Sequence, residues 1–315
     1  MDALDVLPNT SRGGPRKCPF DALVPALQTR PLHYSPLRQA LSPVVIILIM
    51  EVVNALQCFE RVDGGIKFIY TRVLYVQDGI TFCAKSPNRN IGPGICADDL
   101  EDIKPIPPEA YRPILPPGCT VAPDPSDGYI KQPNLMLFGG VVDLASLVLK
   151  ELATCEVIRK HPHPNIAIYH GCVVSDGRVT GLCFKKYPET LMHKINPGHL
   201  NKSAFIQSKD RTAARKMAMR YLSGIEAGIR QLHALGLIHN DLNPANVMIT
   251  EDDTPVIIDF DSSSAPGTAL DKAKRTYGWF HPDVHVSRES NDLDALAELR
   301  IWLTGSSPEE FQFKD

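Results

Sequence analysis

Apolar runs in the first third of the chain predict β-strands. Residues 66–76 and 80–84 are rich in β-branched and aromatic side chains, and the sequence Gln-Asp-Gly between them is typical of a tight hairpin turn. The strongest apolar run, residues 44–50, is too short to span a bilayer, and we expect a buried strand or short helix there. Residues 1–40 contain six prolines and little periodicity, which predicts a largely disordered segment.

Helical spacing dominates later parts of the chain. Within residues 217–237, apolar side chains recur at intervals of three and four, which places them on one helical face. Gly236 follows them as a typical helix stop. Residues 142–160 are predicted to form another helix.

One segment, HNDLNPANVMITEDDTPVIIDFD, combines an apolar hairpin with polar residues at its open end. Residues 247–250 and 255–258 are apolar runs separated by acidic residues, so they should pair as antiparallel strands. Asn246 enters the first strand and Asp259 leaves the second, which brings them to the same end. Their oxygen atoms are ligands suited to Mg²⁺, and Asp241 is placed to accept a hydroxyl proton. The segment therefore predicts a phosphoryl-transfer site.

The same segment resembles the catalytic and metal-binding loops of the protein kinase-like superfamily. His239, Asp241 and Asn246 match the pattern H-x-D-x-x-x-x-N, and Asp259 with the following Phe matches the start of D-F-G. The resemblance implies that Asp241 is the catalytic base, that Asn246 and Asp259 bind Mg²⁺, and that ATP is the phosphate donor. The upstream phrases HPHPNI and LHALGLIH also resemble kinase sequences.

This resemblance also implies a lysine that is paired with a glutamate and holds the nucleotide phosphates. Lys131 and Glu151, 20 residues apart, are the predicted pair. Glu156 in the same predicted helix would need a shorter connection. Lys85, in the sequence Phe-Cys-Ala-Lys, looks more like the kinase motif but lies 66 residues before Glu151. It would replace Lys131 if residues 86–130 were an insertion.

Other positions match or depart from the kinase pattern. Lys186 and Tyr187 stand where kinases bind adenine, so we expect them to line the nucleotide site. No G-x-G-x-x-G occurs in the 30 residues before Lys131, which removes the usual backbone cradle for phosphates. Asn243 occupies the catalytic-loop position of a lysine that contacts the transferring phosphate, and it brings no charge. Asp261 replaces the D-F-G glycine, either as an extra metal ligand or as a solvated acid.

Two features concern regulation and the large lobe. Asn240 replaces the arginine that grips a phosphorylated activation loop, so we do not expect switching by that route. Residues 291–303 resemble the central helix of the kinase large lobe, after which the chain ends at Asp315. We therefore expect a truncated lobe, whose exposed apolar face a partner could cover.

Composition bears on the cellular location of the protein but does not identify a binding partner. A formal net charge of −3 gives no broad electrostatic argument for binding nucleic acid or a membrane. Eight cysteines occur without C-x-x-C spacing. This usage is typical of reduced thiols, so we expect a cytoplasmic or nuclear protein.

The predicted fold class is α+β: a two-lobed kinase-like fold with a small β-rich N-lobe and a helical C-lobe truncated after its central helix. We divide the chain into a Pro-rich segment 1–40, a β-rich extension 41–100 and a kinase-like domain 101–315, with its lobes meeting near residue 188. Three functions are compatible with the residues. They are a divergent protein kinase using ATP and Mg²⁺ to phosphorylate Ser or Thr of an unknown protein, a pseudokinase binding module, and a small-molecule phosphotransferase resembling the aminoglycoside and choline kinases.

Overall fold

The computed structural model divides the chain into two compact units between Ile106 and Pro107. The residues that it describes are 50–62, 65–92, 95–140, 143–209, 211–271 and 273–313. The predictions for residues 1–40 and 44–49 lie outside them.

The first unit is an antiparallel sheet of four strands in sequential order. Its strands are β1 (Glu51–Val62), β2 (Gly65–Gln77), β3 (Ile80–Ser86) and β4 (Glu101–Pro105). Asp78 and Gly79 connect β2 to β3 with φ angles of 53° and 74°, the left-handed backbone of a two-residue hairpin turn. Because β4 pairs with β3, residues 101–105 belong to this sheet and Ile106 to the same unit, whereas the kinase-like domain predicted from the sequence begins at residue 101.

The second unit begins with strands and continues with helices. Its elements, in chain order, are β5 (Tyr129–Lys131), α1 (Leu144–Lys160), β6 (Tyr169–Ser175), β7 (Arg178–Phe184), β8 (Glu189–Thr190), α2 (Leu191–Ile195), α3 (Lys202–Ile206), α4 (Thr212–Ala234), β9 (Val247–Ile249), β10 (Pro255–Ile257) and α5 (Glu289–Thr304). The strands form two sheets, β5-β7-β6 and β10-β9-β8. The α+β class predicted from the sequence is confirmed. Among the described residues, no helix has the length and apolarity needed to cross a membrane.

The long helix α4 forms the centre of the helical core. Its side chains Ile225, Ile229 and Leu232 are fully buried, as the three-and-four spacing predicts. The helix ends at Ala234, and Gly236, two residues later, has a φ of 72°. The amide of Leu237 donates to the carbonyl of Leu232 at 3.0 Å, and the Gly236 amide donates to that of His233 at 2.9 Å. This glycine-dependent ending turns the chain directly into the segment that begins at His239.

Candidate active site

The β9–β10 hairpin brings Asn246 and Asp259 to the same end. Val247 pairs with Ile257, and the amide of Ile258 donates to the carbonyl of Asn246 at 3.0 Å. Asp259 then turns away with a φ of 64°, a conformation that is uncommon for a residue with a side chain. The two polar groups therefore flank the open end of the hairpin.

The loop before this hairpin is held by Asp292 of α5. The two carboxylate oxygens of Asp292 accept the backbone amides of His239 and Asn240, each at 2.8 Å. Asn240 has a φ of 65°, and its side-chain amide nitrogen donates to the hydroxyls of Ser264 and Ser287 at 3.1 and 3.0 Å. These buried bonds attach the loop both to α5 and to the segment after Asp259.

Asp241 lies at the centre of the loop and accepts hydrogen bonds on both carboxylate oxygens. The amide of Thr276 donates to Oδ1 at 2.7 Å, and Nδ2 of Asn246 donates to Oδ2 at 3.1 Å. Asn243 donates from Nδ2 to the Asp241 carbonyl and to the Thr276 hydroxyl, both at 3.0 Å. Burial raises the pKa of Asp241, although the hydrogen bonds from Thr276 oppose that shift.

Lys131 of β5 forms an ion pair with Glu151 of α1, with Nζ and Oε1 2.6 Å apart, and it also contacts Asp259. Burial disfavours the ammonium charge, but the carboxylates outweigh this effect and raise the pKa of Lys131. Burial raises the pKa of Glu151 to about 7, against the opposing effect of Lys131. Lys131 thus joins the strand, the helix and the hairpin end.

The two residues left as alternatives by the sequence have other partners. Glu156 accepts the backbone amide of Thr120 at 2.7 Å and its hydroxyl at 3.1 Å. Lys85 lies in the first unit, where its Nζ is 2.9 Å from Oδ2 of Asp102.

A second lysine also reaches the hairpin end. Nζ of Lys274 is 3.0 Å from Oδ2 of Asp259 and 3.7 Å from Oδ2 of Asp261. Burial would raise the pKa of Asp259, but Lys131 and Lys274 together hold it well below its usual range. Lys274 was not among the residues predicted for the site, because nothing in its spacing from Asp259 distinguishes it from an ordinary surface lysine.

Beside these charges lies a cavity of about 360 Å³. Its lining residues are Tyr129, Lys131, Ala167, Phe184, Lys185, Lys186, Tyr187, Thr190, Met248, Ile258 and Asp259. Lys186 is exposed, whereas the hydroxyl of Tyr187 accepts the backbone amide of Ile168 at 3.2 Å. The cavity thus has apolar walls with charged groups at one side, a lining suited to a flat ring bearing a polar tail.

Tyr129 and Thr276 also lie at the site, outside the site residues predicted from the sequence. Tyr129 lies two residues before Lys131, so period-two alternation could have placed both on the same face of β5. The sequence Thr-Tyr-Gly-Trp at residues 276–279 suggests a loop that packs beneath the site, and the path of the segment after β10 brings Thr276 to Asp241.

Comparison with known proteins assigns the chain to a family. A model of the protein kinase domain matches residues 143–302, half of the chain. Serine/threonine-protein kinase Tao of Drosophila melanogaster is 24% identical over 161 residues, covering 50% of this chain and 14% of that protein. Mitogen-activated protein kinase kinase kinase 13-B of Xenopus laevis is 30% identical over 159 residues, covering 48% of this chain and 15% of that protein.

A probable LIM domain-containing serine/threonine-protein kinase of Dictyostelium discoideum is 31% identical over 101 residues, 32% of this chain and 14% of that protein. The chain therefore spans only a small part of the length of the curated relatives that it matches. The loop geometry and the matched domain agree on the class of protein, a phosphotransferase of the kinase type. The chain belongs to the protein kinase family.

Proposed function

We propose that this chain binds ATP with Mg²⁺ and transfers the γ-phosphate to a serine or threonine hydroxyl of a protein substrate. The observation that carries the proposal is the convergence of Lys131, Glu151, Asp241, Asn246 and Asp259 beside an apolar cavity. The cavity would hold the adenine, and the charged side would hold the phosphates. Serine or threonine is favoured over tyrosine because Tao and the Dictyostelium relative are both named as serine/threonine-protein kinases.

The oxygen donors at the hairpin end suit Mg²⁺. In the part of the chain that the structure describes, no group of three or more His, Cys, Asp or Glu residues could hold a metal ion by itself. Mg²⁺ does not require such a group, because it is commonly bound by one or two protein carboxylates together with substrate phosphates and water. Asp259 supplies a carboxylate, and the amide nitrogen of Asn246 is engaged by Asp241, so its carbonyl oxygen is the atom with ligand chemistry. The bound ion would neutralise charge on the β- and γ-phosphates.

Asp241 acts on the substrate hydroxyl. As the hydroxyl oxygen forms its bond to the γ-phosphorus, the bond from that phosphorus to the β-bridging oxygen breaks, and its electron pair leaves with ADP. The hydroxyl proton passes to the carboxylate of Asp241. The raised pKa of Asp241 makes it a better proton acceptor than an exposed aspartate. Lys131, held by Glu151, would bind the phosphate oxygens of the nucleotide.

The residues that line the cavity suggest how tightly it would bind ATP. Tyr129 lines it, but among the described residues none from 95–128 does. Backbone amides from a glycine loop are thus not available to surround the phosphates in the usual way. We expect ATP binding to depend on Mg²⁺ and on lysine side chains more than it does in kinases with that loop.

A binding module without transfer activity is the second candidate function. It is favoured by the position of two lysine ammonium groups on Asp259, one at each carboxylate oxygen. These cations already neutralise the carboxylate that the first proposal gives to Mg²⁺.

Two successive assays, first of nucleotide binding and then of phosphate transfer, distinguish the two candidate functions. Isothermal titration with a non-hydrolysable ATP analogue should show binding that is strengthened by Mg²⁺, and absence of binding at millimolar analogue would refute the enzymatic proposal. Transfer of radiolabelled phosphate to generic protein substrates should then fall by about 10²–10⁴-fold in Asp241→Asn. This variant should retain nucleotide binding.

The matched control is Asp252→Asn, which changes an exposed aspartate in the turn between β9 and β10. Transfer that survived Asp241→Asn would exclude Asp241 as the base. Binding without transfer to protein would favour the second candidate. Labelling of small hydroxyl compounds alone would instead favour a small-molecule phosphotransferase.

A further inference from the structure

Two residues after Asp241, where the kinase sequence pattern has a lysine, the catalytic loop of this chain has an uncharged residue. Asn243 occupies that position, is buried, and uses Nδ2 for bonds to the Asp241 carbonyl and the Thr276 hydroxyl. A neutral, fully engaged amide brings no charge to a phosphate beside Asp241. Phosphoryl transfer depends strongly on positive groups around the phosphate, so another residue must supply that charge if the chain is active.

Lys274 is a cation at the required place. Its Nζ lies 3.0 Å from Asp259 and 3.7 Å from Asp261, at the end of the hairpin where the phosphates would enter. The Asp259 carboxylate accepts Lys131 on its other oxygen. Lys131 is held in addition by Glu151, whereas the described contacts of the Lys274 ammonium are with Asp259 and Asp261.

The backbone around Lys274 is attached to the catalytic loop and to the hairpin end. The Ser262 hydroxyl donates to the carbonyl of Lys274 at 2.5 Å. Two residues later, the amide of Thr276 donates to Asp241 at 2.7 Å. The Lys274 side chain itself is 54% exposed, so its long flexible stem can move while the backbone stays in place.

We propose that Lys274 is a catalytic residue that binds the γ-phosphate during transfer and replaces the positive charge missing at Asn243. The inference rests on the proposed ATP-dependent function. Asp259 would hold Mg²⁺, whose charge would disfavour the position of Lys274 on that carboxylate. The Lys274 ammonium would then bind the nearby phosphate oxygens and would keep its proton throughout. The bonds made and broken are those given above, and Lys274 contributes charge alone.

Comparison of ATP and ADP binding tests this role, because only ATP carries the γ-phosphate. In the presence of Mg²⁺, Lys274→Met should weaken binding of a non-hydrolysable ATP analogue by about tenfold or more, the effect of losing a charged hydrogen bond. ADP binding should stay at the wild-type level, which also shows that the variant is folded. Phosphate transfer should fall further than analogue binding, since charge builds up in the transition state.

Two further variants complete the test. Lys274→Arg keeps the charge and should recover most of the analogue affinity. Lys216→Met, an exposed lysine of α4, should behave as wild type in every assay. If Lys274→Met binds analogue and ADP with unchanged affinities and transfers phosphate normally, the role of Lys274 is excluded while the proposed function stands.

If Lys274→Met binds both nucleotides more tightly, Lys274 only competes with the metal, and the inference is also overturned. Failure of the wild-type protein to bind ATP analogue would overturn both the inference and the proposed function. The wild-type measurement therefore separates the two failures.

Discussion

Asp292 accepts the backbone amide of His239 at 2.8 Å, which joins the first turn of α5 to the first residue of the catalytic loop. Its second oxygen accepts the amide of Asn240, and the side chain is fully buried. Water cannot replace this carboxylate without rearrangement. The geometry of the loop, and therefore the position of Asp241, depends on a residue of α5 that lies outside the loop.

Loss of this carboxylate should destabilise the whole unit. Asp292→Ala leaves two buried amides without an acceptor, and each such group costs about 1–3 kcal/mol. We expect the free energy of unfolding, measured with urea, to fall by about 2–5 kcal/mol. Asp294→Asn, at an exposed position on the same helix, is the control. Equal stability of the two variants would show that the loop does not need Asp292.

Lys131 and Lys85 offer a matched pair for nucleotide binding. Lys131→Met removes the cation between Glu151 and Asp259, and we expect affinity for an ATP analogue to fall by about tenfold or more. Lys85→Met breaks an ion pair with Asp102 in the first unit and should leave affinity unchanged. The reverse result in a titration of both variants would assign the nucleotide lysine to the first unit.

Stability should depend on pH through Glu151. Its pKa is raised from 4.5 to about 7, so between these values the folded protein holds a proton that the unfolded chain has released. The free energy of unfolding contributed by Glu151 therefore decreases as pH rises through this interval, by at most about 1.4 kcal/mol per pH unit. Glu151→Gln should remove that contribution.

The comparison is made by urea unfolding of wild type and Glu151→Gln across the same interval. Burial lowers the pKa of His163, which gives a slope of opposite sign in both proteins and cancels in their difference. Parallel stability profiles would contradict the raised pKa of Glu151.

A buried ion pair connects α3 to α5. Lys202 contacts Glu298 and donates to the carbonyls of Gly278 and Phe313 at 2.6 and 3.0 Å. Lys202→Met leaves the Glu298 charge buried without its cation, and we expect a loss of about 3–5 kcal/mol in the free energy of unfolding. Lys209→Met, at an exposed position, should have little effect. Adding Glu298→Gln to Lys202→Met should restore part of the loss, and failure to do so would indicate that packing, not charge, is responsible.

Local spacing alone predicted much of this structure. The face of α4 and the β9–β10 hairpin follow from periodicity, since both depend on contacts between residues close in sequence. Asn246 and Asp259 meet for the same reason: a short hairpin brings its two ends together whatever the rest of the fold does. The kinase family was accessible from that segment as well.

Tertiary structure decided which distant charges join the hairpin end. Lys131 and Lys85 both end short β-type sequences, and only sheet pairing assigns one to β5 and the other to β3 beside Asp102. Glu151 and Glu156 lie on one helix, but its packing directs one to Lys131 and the other to Thr120. The 20-residue spacing of Lys131 and Glu151 favoured this pair, but it left Lys85 and Glu156 open as alternatives, because spacing alone does not fix contacts between distant segments.

Lys274 is the clearest case of a residue that only the fold could reveal. It reaches Asp259 because the segment after β10 returns to the catalytic loop through Thr276 and Asp241. By itself, the sequence placed Asn246 and Asp259 at the open end of the hairpin and Asp241 in the loop before it, because short-range geometry holds these groups together. The tertiary structure alone brought Lys274 to Asp259 and decided between Lys131 and Lys85, because ion pairs between distant segments depend on how the chain packs.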